Sequence, residues 1–184
     1  MISSGEGDSL GDLERCPYCR RFFAQIEAQL AFLFDQYGFR LIHCEGAAQF
    51  PVCLVVLESA DCRVRFVVDR GIPEIAIGTT SARIAWENPG EGASEGWQDP
   101  VALVDFLEAR EIRAPLLDRE GAVPQASEEH LARVSDLLQP HCDAIFEFMG
   151  SAVSEQRSAE CARFLESRNE EILRQIRERY PGQV

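Results

Sequence analysis

VCLVVLESADCRVRFVVDR, residues 52–70, is the stretch that decides the fold. Residues 52–59 are apolar on both faces, which is typical of a central strand covered on both sides. Residues 62–69 alternate instead: one face carries Cys62, Val64, Phe66 and Val68, and the other carries Arg63 and Arg65. Because the connection is too short for a crossover helix, the two runs are predicted to pair antiparallel.

Patterns on either side of this pair predict an opening helix and three more strands. Apolar residues from Arg20 to Tyr37 recur at helical spacing, and Gly38 offers a left-handed C-cap. Three further segments are typical of strands: FRLIHC (39–44), in which Leu41 and His43 share a face, IPEIAIG (72–78) and SARIAW (81–86). Short connections between all of them indicate a five-stranded antiparallel meander.

Helices are predicted for the rest of the chain. Residues 87–100 are a glycine-rich acidic loop, at whose end Asp99 and Pro100 suit the N-cap and first position of a short helix. Two long helical patterns follow, the first interrupted at Pro140 because proline removes a backbone hydrogen bond. We therefore expect an α+β fold with an N-terminal helix, a five-stranded antiparallel meander sheet, a short helix and two long C-terminal helices. Residues 1–126 would form the core domain, and 127–184 a helical extension packed on the core or on a partner.

The 184-residue chain is acidic along its whole length. It has 31 acidic against 18 basic side chains and a net charge of −13 at pH 7. Nucleic acids and anionic lipid surfaces bind clustered cations, so both are disfavoured as partners. The N-terminus lacks the pattern of a secretory signal and no apolar run is long enough to span a membrane, so we expect a cytoplasmic protein.

All 18 basic residues are arginine. The absence of lysine is typical of a GC-rich bacterial genome. It excludes Schiff-base and pyridoxal-phosphate enzymes, Walker A nucleotide sites and protein kinases, all of which need a lysine. With three histidines, the chain also has few side chains that can act as a general acid or base near neutral pH. We therefore expect a protein that is not an enzyme and has no cofactor.

The motif CPYC, Cys16 to Cys19, resembles the active-site tetrad of glutaredoxin-like thiol oxidoreductases. The resemblance covers four residues and implies Cys16 as the nucleophile and Cys19 as the resolving thiol. A dithiol of that family follows a β-strand, but no apolar run precedes Cys16 to supply one. The pair is therefore predicted to begin the opening helix, with the thiols near its cap and the core.

A CxxC pair is also half of a common zinc site. Two more ligands would have to converge on Cys16 and Cys19, and the candidates are His43 with Cys44, or His141 with Cys142. No second CxxC or HxxxH follows at regular spacing. The seven cysteines are odd in number and irregularly spaced, which favours reduced, buried thiols over a disulfide framework.

The stretch YGFRLIHCEGAAQFPVCLVVLESADCRVRFVVDRG (37–71), followed by Trp97-Gln98-Asp99, resembles small bacterial α+β domains of unknown function. Some of these are neighbours of toxins and are thought to be immunity proteins. The resemblance covers residues 20–110 and implies a compact acidic protein that binds another protein.

The leading hypothesis is thus a non-enzymatic protein-interaction module. Arg63 and Arg65 on one sheet face, with Trp86 and Trp97 beside the glycine-rich loop, are its candidate contact residues. An acidic surface would suit a basic partner, and the narrow apolar stripe of the C-terminal helix would suit a homodimer. The alternative is a thiol redox or structural zinc protein that uses Cys16 and Cys19.

Overall fold

The computed structural model describes residues 13, 15–46, 51–69, 72–84, 96–108, 127–150 and 155–179. Its helices are α1 (Pro17–Gln29), α2 (Ala31–Asp35), α3 (Pro100–Leu107), α4 (Ser127–Leu138), α5 (Cys142–Gly150) and α6 (Glu155–Arg179). Its strands are β1 (Arg40–Gly46), β2 (Val52–Glu58), β3 (Cys62–Asp69), β4 (Ile72–Thr79) and β5 (Trp97–Gln98). The order of elements confirms the predicted α+β fold. None of the described helices has the length and apolar content to cross a bilayer.

The five strands form one sheet in sequence order, each antiparallel to its neighbour. The meander is confirmed, but its fifth strand is Trp97–Gln98, and the described residues of the predicted segment 81–86 belong to no strand. The described part of that segment, residues 81–84, leaves the sheet because the Ala82 amide donates to the Thr79 carbonyl at 2.9 Å, which closes a turn after β4. The edge pairing is taken up by Trp97, which lies opposite Gly78.

Each face of the sheet has its own hydrophobic cluster. The larger cluster lies between the sheet and α1, α4 and α5, and its sheet residues include Val55, Leu57, Val64 and Phe66. The smaller one covers the opposite face and consists of Leu54, Val56, Ala76, Ala82 and Trp97. Central strands buried on both sides explain why β2 is apolar at nearly every position.

Local signals place several element ends as expected. Gly38 has a φ of 65°, a left-handed conformation that glycine adopts readily, and Asp99 Oδ1 accepts from the Val101 amide at 2.9 Å as the N-cap of α3. A short 3₁₀ turn, Gln139–His141, joins α4 to α5 at Pro140. The predicted opening helix is divided in two: Leu30 is both the C-cap of α1 and the N-cap of α2.

Side chains of α4 and α5 lie in the same hydrophobic cluster as the sheet. The division of the chain into a core domain and a helical extension at residue 126 stays a prediction.

Candidate functional site

The CPYC motif lies at the start of α1, as predicted. Cys16 is the N-cap, with extended backbone angles, and its sulfur accepts from the amide of Cys19 at 3.5 Å. Pro17 holds the first helical position, where a missing amide hydrogen costs nothing. Both cysteines are buried. No described residue before Cys16 belongs to a strand, and the sheet is antiparallel throughout, unlike the surroundings of a glutaredoxin-type dithiol.

A β-bulge in β1 decides which residue of the His43-Cys44 pair faces α1. The register shifts between Leu41 and His43, so Leu41 opposes Leu57 while His43 opposes Val56. Leu41 and His43 therefore lie on opposite faces, contrary to the simple alternation that predicted a shared face. The shift turns Cys44 toward the helices, where it is fully buried. His43 faces the other way, with Nε2 lying 3.4 Å from Glu45 Oε2.

The sulfurs of three cysteines, Cys19, Cys44 and Cys53, lie close together beneath the start of α1. We call these three residues and Cys16 the thiol cluster. The three sulfurs all lie within 4.8 Å of one another. Cys19 and Cys53 are joined by a disulfide with a Cα–Cα distance of 5.5 Å, whereas Cys16 and Cys44 are not disulfide-bonded. The cluster thus draws on one helix and two paired strands.

Gly46 provides the space in which the thiols of α1 approach the sheet. It lies opposite Cys53 in the β1–β2 pair. A Cβ at this position would overlap the sulfur of Cys19 and would lie 2.9 Å from the sulfur of Cys16. Both sulfurs of the CPYC motif therefore occupy the side of Gly46 where a side chain would stand, and they are close to each other.

Three other cysteines, Cys62, Cys142 and Cys161, lie in the core outside the thiol cluster. Burial raises the pKa of Cys62 and of Cys142 to about 12, and it raises the pKa of Cys161 as well. Thiols of this kind stay protonated near neutral pH and act as small apolar side chains. They serve as internal controls for the thiol cluster.

Cys53 is the site residue that the sequence interpretation missed, because it lies in the apolar strand pattern of residues 52–59 and was not named as a ligand. A signal was present: Cys44 and Cys53 stand on two adjacent strands that a short connection brings together. Of the predicted metal set, the structure brings Cys19 and Cys44 together and places Cys16 beside Cys19. It leaves His43 on the opposite face. The alternative pair is also separated, since His141 Nε2 lies 3.4 Å from Glu108 Oε1.

The sheet face that carries the predicted contact residues is not the exposed surface expected from alternation. Arg65 is 3% exposed, and its guanidinium lies 4.9 Å from the ring centroid of Trp97. Trp97 is itself buried and donates from Nε1 to the Arg83 carbonyl at 2.7 Å. The reason is that residues 82–84 and β5 fold back over this face. Burial lowers the pKa of Arg65, an effect opposed by the charge of Glu74.

Arg63 lies at the margin of the same face. Its Nε is 2.7 Å from Glu58 Oε2, and its Nη1 donates to the Ala82 carbonyl at 2.7 Å. Two of its donors therefore hold neighbouring segments in place. Trp86 lies outside the described residues.

The outer part of α6 is the apolar surface that the described residues leave open. Near its start the helix packs on α3 through Phe164 and Phe106, whose ring centroids are 5.7 Å apart. Beyond Arg168, Ile172, Leu173 and Ile176 belong to neither hydrophobic cluster, and Leu173 is 46% exposed. We call these three residues the distal stripe.

Comparison of the chain with models of known protein families, with curated proteins and with solved structures finds no match.

Proposed function

We propose that this chain is a non-enzymatic protein-interaction module whose contact surface is the distal stripe of α6. The observation that carries the proposal is the exposure of Leu173, the large apolar side chain that the described part of the chain leaves most open to solvent. Scattered apolar residues are ordinary on protein surfaces. Here, however, Leu173 continues a stripe with Ile172 and Ile176 at helical spacing, on a helix that extends past its packing partner.

Charge favours a second copy of the chain as the partner. The chain as a whole carries a net charge of −13, so two copies repel each other over most of their surfaces. Helix α6 is different, because its 25 residues include six glutamates and six arginines and are therefore neutral as a group. Two copies of α6 can approach with opposite charges flanking the apolar stripe, as in an amphipathic helix pair. A basic partner protein remains a prediction from the net charge alone.

The three histidines lie on three different elements: His43 on β1, His130 on α4 and His141 in the 3₁₀ turn. His43 and His141 each lie 3.4 Å from a carboxylate of the same protein, and they stand on different elements. Burial and the charge of Arg133 lower the pKa of His130, so this side chain is mostly neutral at pH 7.

We propose that the protein is cytoplasmic, and we propose no nucleic-acid or membrane partner. An immunity-type role in bacteria stays a prediction from the sequence.

Sedimentation velocity over a wide concentration range tests this function. We expect a reversible dimer, and we expect Leu173→Glu to weaken it at least ~10-fold because a charge would replace a central apolar contact. Ser167→Glu is the matched control, since it adds the same charge to an exposed position on the opposite side of α6. This variant should dimerise like the wild type.

Two results would contradict the proposal. One is a wild-type chain that sediments as a monomer at the highest concentration reached. The other is a Leu173→Glu variant that dimerises as well as Ser167→Glu.

A further inference from the structure

We propose that Cys16, Cys19, Cys44 and Cys53, when all four are reduced, bind one Zn²⁺ ion as a tetrathiolate centre. Such a centre would fasten the start of α1 to the β1–β2 hairpin. The inference is independent of the proposed interaction surface, which lies on another helix.

The distances suit a soft divalent metal. Four thiolates around zinc, with Zn–S bonds of about 2.3 Å, have sulfurs about 3.8 Å apart. The sulfurs of Cys19, Cys44 and Cys53 already lie within 4.8 Å of one another. Because Cys19 and Cys53 are joined by a disulfide, reduction must first let their two sulfurs separate to the spacing that zinc requires. Because all three are fully buried, the site has the closed, solvent-free character of structural zinc centres.

Cys16 completes the set as the fourth ligand. Its sulfur lies beside that of Cys19 in the space above Gly46. Residues spaced as C-x-x-C at a helix start can present two sulfurs to one metal, as in many zinc sites. His43 cannot join this set without a register change, because the bulge in β1 turns it to the other face of the sheet.

The start of α1 also supplies partial positive charge. A tetrathiolate zinc centre carries a net charge of about −2, which is costly to bury without compensation. The cluster lies at the N-terminus of α1, the positive end of the helix dipole, and the Cys19 amide there donates to the sulfur of Cys16 at 3.5 Å. Such amide–sulfur bonds orient the ligands and stabilise thiolates.

The disulfide and the metal centre are alternative states, because both use Cys19 and Cys53. Reduction by a phosphine takes up one water: the disulfide becomes two thiols and the phosphine becomes its oxide. Binding then replaces four thiol protons by one Zn²⁺ and releases them to the buffer. A thiol redox centre fits less well, since redox cysteines are normally accessible and the sulfurs here are buried.

Metal titration of the full chain tests the proposal. The protein is reduced with a phosphine under anaerobic conditions and titrated with Co²⁺ as a spectroscopic probe, and then with Zn²⁺. We expect one equivalent of Co²⁺, with the visible absorption of tetrahedral cobalt and strong sulfur-to-cobalt charge-transfer bands, both bleached by one equivalent of Zn²⁺. Alanine substitution of each cluster cysteine should weaken binding on the order of 100-fold or more.

Matched controls separate ligand loss from damage to the fold. Cys62→Ala and Cys142→Ala remove equally buried thiols outside the cluster, and His43→Ala tests the other face of β1. These three variants should bind Co²⁺ like the wild type, and circular dichroism should show that every variant is folded.

The proposal is overturned if the folded, reduced chain binds no stoichiometric Co²⁺. It is also overturned if Cys16→Ala or Cys53→Ala binds as tightly as the wild type. A third contrary outcome is loss of binding in His43→Ala with retention in Cys53→Ala.

Discussion

At the scale of single residues, Tyr37 shows how one polar group ties distant segments together. Its hydroxyl donates to Asp143 Oδ1 at 2.8 Å, and its ring packs edge-on against Phe146 with the centroids 4.8 Å apart. The residue thereby links the end of α2 to α5, more than a hundred positions later. Burial, together with the hydrogen bond to Asp143, raises the pKa of Tyr37 to about 12 from an ordinary 10.0.

The raised pKa of Tyr37 predicts that the folded protein loses stability at alkaline pH. Between pH 10 and 12 the unfolded chain has lost the Tyr37 proton while the folded chain keeps it, so stability falls as pH rises through this window. Tyr37→Phe keeps the ring contacts but loses the hydrogen bond. At pH 8 we expect the free energy of unfolding of this variant to be about 0.5–1 kcal/mol lower than that of the wild type. This difference should shrink toward pH 11. Urea unfolding at both pH values measures it, and a difference that does not change with pH would contradict the assignment.

At the scale of elements, predictions succeeded where the signal is local. The left-handed Gly38 and the N-cap Asp99 depend on neighbouring residues alone, and both were predicted. The break at Leu30 and the bulge before His43 depend on how helix and strand pack against distant segments, so alternation and helical spacing could not reveal them. Arg65 was placed on the correct face, but its burial depends on residues 82–84 and β5.

The contact between α3 and α6 supplies a prediction at this scale. Asp99 Oδ1 caps α3 while Oδ2 lies 3.1 Å from Arg168 Nη2, and Arg168 is 4% exposed. Asp99→Ser keeps a good cap but removes the charge that faces a buried guanidinium. We expect a loss of about 1–3 kcal/mol in unfolding free energy, reduced from the fully buried case because Asp99 is partly exposed. Arg168→Met should cost less, since an apolar side chain replaces the buried charge.

Denaturant unfolding of the two variants and of the double variant measures both effects. The double variant should be close to Arg168→Met, because serine then faces no unpaired charge. Equal losses for Asp99→Ser and Arg168→Met, adding in full when combined, would show that the two residues do not interact.

At the scale of the whole molecule, the thiol cluster shows which features of a site could not be predicted from the sequence. The CPYC pair is contiguous and was predicted to start a helix, and Cys44 was named because it follows His43. Neighbouring strand residues face opposite sides, so only one of that pair could meet α1, and the bulge selects Cys44. Cys53 enters through the register of β1 with β2 and through the way α1 lies on the sheet. The short connection predicted that β1 and β2 pair, but neither their register nor the position of α1 on the sheet follows from composition and spacing, because both are long-range properties.

The net charge of −13 makes a last prediction that concerns the molecule as a whole. Repulsion among so many carboxylates opposes the compact state and is screened by salt. We therefore expect the Tm at pH 7 to rise with added NaCl, by about 2–4 °C for a gain of ~1 kcal/mol. At pH 4.7, close to the sequence pI, the average repulsion is absent and the same salt should raise the Tm little. Calorimetry at the two pH values checks this. A Tm that falls with salt at pH 7 would mean that attractive pairs such as Arg63–Glu58 outweigh the net repulsion.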